Sequence, residues 1–90
     1  MILIDDAAVP AYDRLWCHLA SDTSFDELHE FVEPFGIPER GFDGDHYDVP
    51  VERRKDLIAA GAVPVSSREL VARLNDAGLR RRRSRSAKRR

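Results

Sequence analysis

DHYDVPVERRKDLIAAGAVPVSSRELVARLNDAG, residues 45–78, carries in order the marks of an extended segment, a helix, a short strand and a second helix. Asp45-His46-Tyr47-Asp48-Val49 reads as a strand or as an extended lead into the helix that follows. Pro50 fits the first helical position, where its missing N–H costs nothing, so that helix is expected to run to Ala60 and close on Gly61. Ala62-Val63-Pro64-Val65 predicts a strand, which Pro64 confines to a sheet edge or a strand start. Ser66-Ser67-Arg68-Glu69 is a capping box, opening a helix whose inward stripe is Leu70, Val71, Leu74 and Ala77 and which Gly78 stops.

Upstream, Ile2-Leu3-Ile4 is an apolar run ended by Asp5-Asp6, the pattern of a buried strand that presents carboxylates at its C-terminal end. Ala7 to Arg14, which holds Pro10, is expected to be a loop. Leu15 to Ala20 predicts a second strand, with Leu15, Cys17 and Leu19 on one face and Trp16 and His18 on the other. Ser24-Phe25-Asp26-Glu27 is another capping box; Phe25, Leu28, Val32 and Phe35 then share a helical stripe until Pro34 and Gly36 end it. Gly36 to Asp45, with Pro38, Gly41 and Gly44, has the chemistry of a loop or flap. Together these elements predict one small α/β or mixed α+β domain, with a short three-stranded sheet and about three helices. No internal repeat is visible.

Ninety residues, 42% of them apolar, allow one modest core and exclude a large enzyme. A homodimer interface would be a natural supplement to a core of that size. All 16 acids precede residue 77, and only seven Lys and Arg precede residue 80, so residues 1–79 carry −9. The other eight cations, Arg80, Arg81, Arg82, Arg83, Arg85, Lys88, Arg89 and Arg90, give the last 11 residues +8. The division is an acidic body, 1–79, and a basic tail, 80–90. Cys17 is the only cysteine, so no intrachain disulfide can form. The start lacks a basic n-region and no run has the length of a membrane span, which points to a cytoplasmic chain with no membrane partner.

Asp5-Asp6, Cys17-His18, Asp26-Glu27-Leu28-His29, Asp45-His46-Tyr47-Asp48, Arg54 and Gly61-Ala62 together resemble the small bacterial and phage proteins grouped as domain of unknown function 4031. The resemblance covers nearly all of residues 1–79 and leaves the tail outside. It implies a cytoplasmic bacterial or phage protein and no particular activity. Pro34 departs from the uninterrupted helix that the family implies there.

The residues that could carry chemistry are Asp5, His18, His46 and Asp48, as a general acid/base or hydrolytic set. His46 and Asp48 point to one side of an extended chain and could share a divalent metal. The spacing matches no standard zinc pattern. Asp48 has an alternative as a charge at the start of the following helix, and His18 and His46 as hydrogen-bonded structural groups. His29 lies on the apolar stripe of its helix and is read as a satisfied structural histidine; Cys17 is read as a small buried hydrophobe. A second grouping, Ser66, Ser67 and Arg68 at a helix start with Arg54 nearby, suits an anionic, phosphorylated small ligand, its plain alternative being a cap with a solvated basic face.

Two functions fit these features. One is a ligand-binding or hydrolytic domain acting on a small phosphorylated molecule through the His/Asp set. The other is a non-enzymatic binding or regulatory module whose tail contacts nucleic acid. The tail has no apolar periodicity, is expected to be disordered when free, and could bind a phosphate backbone without reading sequence. It could equally lie over its own acidic body or act only as a solubilising extension.

Overall fold

Ile2, Leu3 and Ile4 are all buried because the strand they form, β1 (Ile2–Ile4), is covered on both faces. A computed structural model of the chain describes residues 1–81. β2 (Val9–Ala11) and β3 (Arg14–Ser21) follow β1, then α1 (Phe25–Val32), β4 (Tyr47–Pro50), α2 (Arg54–Ala59), β5 (Val63–Pro64) and α3 (Ser67–Asp76). On one side of the sheet, Ile2, Ile4, Cys17, Leu19, Tyr47 and Val49 pack against Leu28 and Val32 of α1 and Leu57 of α2. On the other, Leu3 and Ala20 pack against Leu70 and Leu74 of α3. The mixed α+β class follows, in three layers.

β3 organises the sheet. Trp16 pairs with Val9 and with Pro50, and Leu19 with Ile4 and with Tyr47, so β1 and β2 share one edge of β3 and β4 takes the other, all antiparallel. β5 adds to β1 in the one parallel pairing. The sheet therefore has five strands where the sequence pattern predicts three. Two differences account for this. Asp45 to Val49, read as strand or lead, supplies β4, and the expected loop from Ala7 to Arg14 contains β2.

β2 has no apolar alternation to betray it, since Val9, Pro10 and Ala11 are all exposed on an edge. Its turn into β3 is equally cryptic: Tyr12 and Asp13 have φ of 53° and 62°, the left-handed pair of a tight two-residue hairpin, without the glycine or asparagine that usually marks one.

Between β1 and β2 the ladder breaks. Ile4 faces Leu19 and Val9 faces Trp16, so residues 5–8 lie opposite only two residues of β3. Asp5 repairs the break with its side chain. Its Oδ1 accepts from the backbone N–H of His18 (2.9 Å) and of Ala7 (3.2 Å), as a ladder carbonyl would.

One helix boundary departs from expectation and another agrees with it. Pro50 ends β4 instead of starting a helix; a 3-10 turn, Val51–Arg53, intervenes and α2 begins at Arg54. α1 stops at Val32 and Pro34 sits in a 3-10 turn, Glu33–Phe35, closed by Gly36 at φ 67°. Ser24 and Ser66 do cap their helices, accepting from the backbone N–H of Glu27 (3.0 Å) and Glu69 (3.1 Å). The reciprocal carboxylate contacts are made elsewhere: Glu27 takes the Ser21 hydroxyl, and Glu69 pairs with Arg73 one turn on.

Burial alone would raise the Asp5 carboxyl, but the bonds from the His18 side chain, the His18 backbone and Ser67 outweigh it and hold the pKa at about 2. A carboxylate lowered in the fold stabilises it fully above the unfolded pKa, and loses that contribution as pH falls through the folded value. Metal-free protein is therefore expected to lose about 2 kcal/mol through this group between roughly pH 4 and pH 2. Urea midpoints across that range should fall in the wild type, and the fall should be smaller by that amount in Asp5→Asn.

Candidate metal centre

His18, on β3, has Asp5 as its neighbour on one side and Asp48, its register partner on β4, on the other. Strand alternation puts all three on the face that α3 covers over Leu3 and Ala20. α3 reaches Asp5 with its first residue but stops short of the other two: side-chain exposure is 30% for His18 and 41% for Asp48, against 1% for Asp5. His46, two residues before Asp48, completes the cluster, its ring centroid 5.0 Å from that of His18 and at 81° to it.

Each imidazole is oriented by a different buried carboxylate. His18 donates Nδ1–H to Asp5 Oδ2 at 2.7 Å, and His46 donates Nδ1–H to Asp45 Oδ1 at 2.7 Å. Asp5 and Asp45 are 1% and 2% exposed. Asp45, like Asp5, is held below the usual carboxylate range: burial opposes this, but the bonds from His46, the Arg81 backbone and Arg80 prevail. Both carboxylates are thus ionised acceptors, so in the neutral imidazoles Nδ1 carries the proton and Nε2 the lone pair.

Both Nε2 atoms point at Asp48. Its Oδ1 lies 3.7 Å from His18 Nε2 and 3.3 Å from His46 Nε2, and the three side chains offer ligand atoms that all fall within 4.8 Å of one another. Donors around a tetrahedral ion at metal–ligand distances near 2.1 Å stand roughly 3.4 Å apart, a spacing that the two Asp48 separations already approach. Two lone pairs and a carboxylate oxygen converging in this way repel one another unless a proton or a cation lies among them. The tendency is visible at His46, which burial alone would lower but which its bonds to Asp48 and Asp45 raise. A carboxylate behind each histidine, fixing tautomer and ring plane, is the usual support of metal-ligating imidazoles.

Of the residues singled out from sequence, Asp5, His18, His46 and Asp48 meet in space. Asp5 stands behind His18 and does not face the open side. His18 joins His46 and Asp48 in the set of potential ligands, although only the latter two were expected to share a metal. Asp45 was missed; its signal was its place next to His46 in a segment whose alternation turns Asp45 inward with Tyr47.

The anion-site residues are used differently from expectation. Ser66 caps α3, Ser67 Oγ donates to Asp5 Oδ2 at 2.8 Å, and Arg54 Nε donates to the Asp5 carbonyl at 2.9 Å. Arg68 is exposed. Ser67 and Arg54 therefore buttress the cluster, and the anion at this helix start is Asp5 itself.

His29 bonds the Tyr47 hydroxyl at 2.7 Å, away from the cluster. Arg80 and Arg81, read as the first tail residues, reach the body: Arg80 pairs with Asp45 Oδ2 at 3.1 Å and the Arg81 N–H donates to the same oxygen at 2.7 Å. Arg82, Arg83, Arg85, Lys88, Arg89 and Arg90, with the nucleic-acid contact and disorder expected of them, lie outside the described residues. Among the described residues no helix is long and apolar enough to cross a membrane.

Residues 2–77 match the model of a family described as protein of unknown function (DUF4031), and the chain belongs to that family. No curated protein and no solved structure matches it.

Cys17 lies one residue from His18 but on the opposite, fully buried face, where burial, with Asp5 nearby, pushes its thiol up to about 11. It should resist a thiol reagent such as DTNB at neutral pH in the folded protein and react fully once unfolded; fast labelling of the native chain would contradict this placement.

Proposed function

We propose that this member of the DUF4031 family is a small metal-dependent hydrolase acting on a phosphorylated small molecule, with His18, His46 and Asp48 as the ligands of one divalent cation. The observation that carries the reading is the opposed anchoring of the two imidazoles, each pinned at Nδ1 by its own buried carboxylate so that both Nε2 atoms face Asp48. A purely structural histidine needs no such arrangement, whereas a ligand must be presented with its lone pair aimed and its ring fixed.

Two imidazoles and one carboxylate form a set suited to zinc or another first-row divalent ion, and three protein ligands leave positions open for water and substrate. The partial exposure of His18 and Asp48 supports open positions on the solvent side. His18, His46 and Asp48 would hold the cation, which would supply Lewis-acid polarisation of a bound water and of a phosphoryl oxygen. The reaction adds water across the ester P–O bond: the water oxygen bonds to phosphorus, and the ester oxygen leaves with its bonding pair and takes up the proton that water gives up. Asp5 and Asp45 keep the imidazoles aimed throughout, and Ser67 and Arg54 keep Asp5 in place.

Isothermal titration of the full chain with zinc and with manganese should give one ion per chain. His46→Ala should weaken binding at least tenfold, and Asp45→Asn, which keeps the shape and removes the charge behind His46, by roughly 10- to 100-fold. Release of p-nitrophenol from its phosphate ester should require the metal and stop with EDTA. Failure to bind an ion, or variants that bind like wild type, would overturn the metal site; stoichiometric binding without turnover would reduce the protein to a binding module.

A further inference from the structure

Beside the metal ligands the surface opens into a cleft of about 790 Å3, with His18 and Asp48 in its wall. Its remaining sides come from the β2–β3 hairpin and the segment 36–43, which bear Tyr12, Arg14, Trp16, Arg40 and Phe42, and from Arg53 of the turn after β4, whose guanidinium also donates to the Phe35 carbonyl at 2.7 Å. Three of the seven Lys and Arg of residues 1–79 therefore line one cleft, in a body that carries −9. The acids on its wall are Asp43 and Asp48, so the cleft is net positive where the body as a whole is acidic, which favours an anion beside His18.

The cleft also offers aromatic surface that the fold does not require. Trp16 is half-buried with its indole N–H donated to the Ala11 carbonyl at 2.8 Å, so its polar edge is already satisfied, and the Arg14 guanidinium lies 6.0 Å from its ring centre. Tyr12 is 94% exposed at the hairpin tip. It also has a φ of 53°, a conformation that asparagine or glycine adopts more cheaply. A tyrosine here contributes nothing to the core and strains the turn, which leaves its ring as the reason for its presence.

We infer that this cleft binds a free nucleoside phosphate, its base against Tyr12 and Trp16 and its phosphate between the cleft arginines and the His18/His46/Asp48 cluster. A planar, polarisable base suits aromatic faces of this kind, and a phosphate ester suits guanidinium groups. The volume lies in the range of small-ligand sites and accommodates a nucleotide. The inference names the substrate class for the proposed hydrolysis and rests on that reading for its chemistry, but the binding step stands without it.

Trp16 is the chain's sole tryptophan, so its emission reports on the cleft directly. The full chain, in EDTA, is titrated with AMP, with ribose 5-phosphate and with inorganic phosphate, following emission and confirming by calorimetry. AMP should bind at least about tenfold tighter than ribose 5-phosphate, which carries the same phosphate without the base.

Tyr12→Asn, which keeps the left-handed turn and removes the ring, should weaken AMP at least about 5-fold without lowering the melting temperature. Arg14→Ala should weaken AMP and ribose 5-phosphate alike. Equal affinities for those two ligands, or full AMP affinity in Tyr12→Asn, would overturn the inference even if the metal-dependent esterase activity is real. Conversely, AMP preference in a protein that binds no ion would support the inference and remove the hydrolase. A trinucleotide that outbinds AMP tenfold at about 0.3 M salt, where the basic tail is screened, would reassign the cleft to nucleic acid and overturn the free nucleotide.

Discussion

Asp5 accepts four hydrogen bonds from three parts of the chain: the Ala7 and His18 backbones, the His18 ring and the Ser67 hydroxyl, while Arg54 holds its carbonyl. A carboxylate at 1% exposure is tolerable only because its lone pairs are filled in this way. The same side chain closes the broken ladder between β1 and β2, seats the start of α3 against the sheet, and sets the plane of His18. Fold and candidate site thus share one buried charge, and a change that unseats it would be felt in both.

The incompleteness of the α3 layer is what leaves a site at all. α3 has ten residues and covers the sheet over Leu3 and Ala20, whereas the same face continues through His18 and Trp16 without a helix above it. On the opposite face α1 and α2 bury Cys17, Leu19 and Val49 completely. β3 consequently alternates between a closed apolar side and an open polar one, and the open side gathers the histidines and the aromatic cleft. The two-residue turn at Tyr12 and Asp13 then carries the hairpin past the end of the core and sets the exposed Tyr12 at the rim of the cleft.

Asp45 couples the site to the end of the described chain. One of its oxygens holds His46, and the other takes Arg80 and the backbone of Arg81, whose guanidinium lies 4.7 Å from the centre of the Phe25 ring. The boundary between acidic body and basic tail drawn from charge alone at residue 80 is therefore crossed by these contacts. One of the eight clustered cations, Arg80, pairs with a buried acid of the body, and the next, Arg81, gives that acid only its backbone N–H.

Local patterns sufficed for the helices and the central strands. Ser24 and Ser66 mark helix starts because a cap is a contact between residues three apart, and Ile2 to Ile4 reads as a buried strand because burial on both faces demands an unbroken apolar run. His46 and Asp48 are legible as a pair for the same reason, two residues apart on one strand face. β2 was not legible, since an exposed edge strand with a glycine-free turn has no apolar pattern to read. Nor was the role of Asp45, or the meeting of His18 with His46, 28 positions away. Those depend on the registers β1 to β3 and β3 to β4, which strand pairing across the whole core decides. The sequence by itself determined the three helices, the central strands and which residue types could bind a cation. Only the tertiary structure decided that two histidines would turn their lone pairs toward one carboxylate, because that orientation is imposed by two buried acids, Asp5, distant in the chain from His18, and Asp45, in the bend that leads into β4.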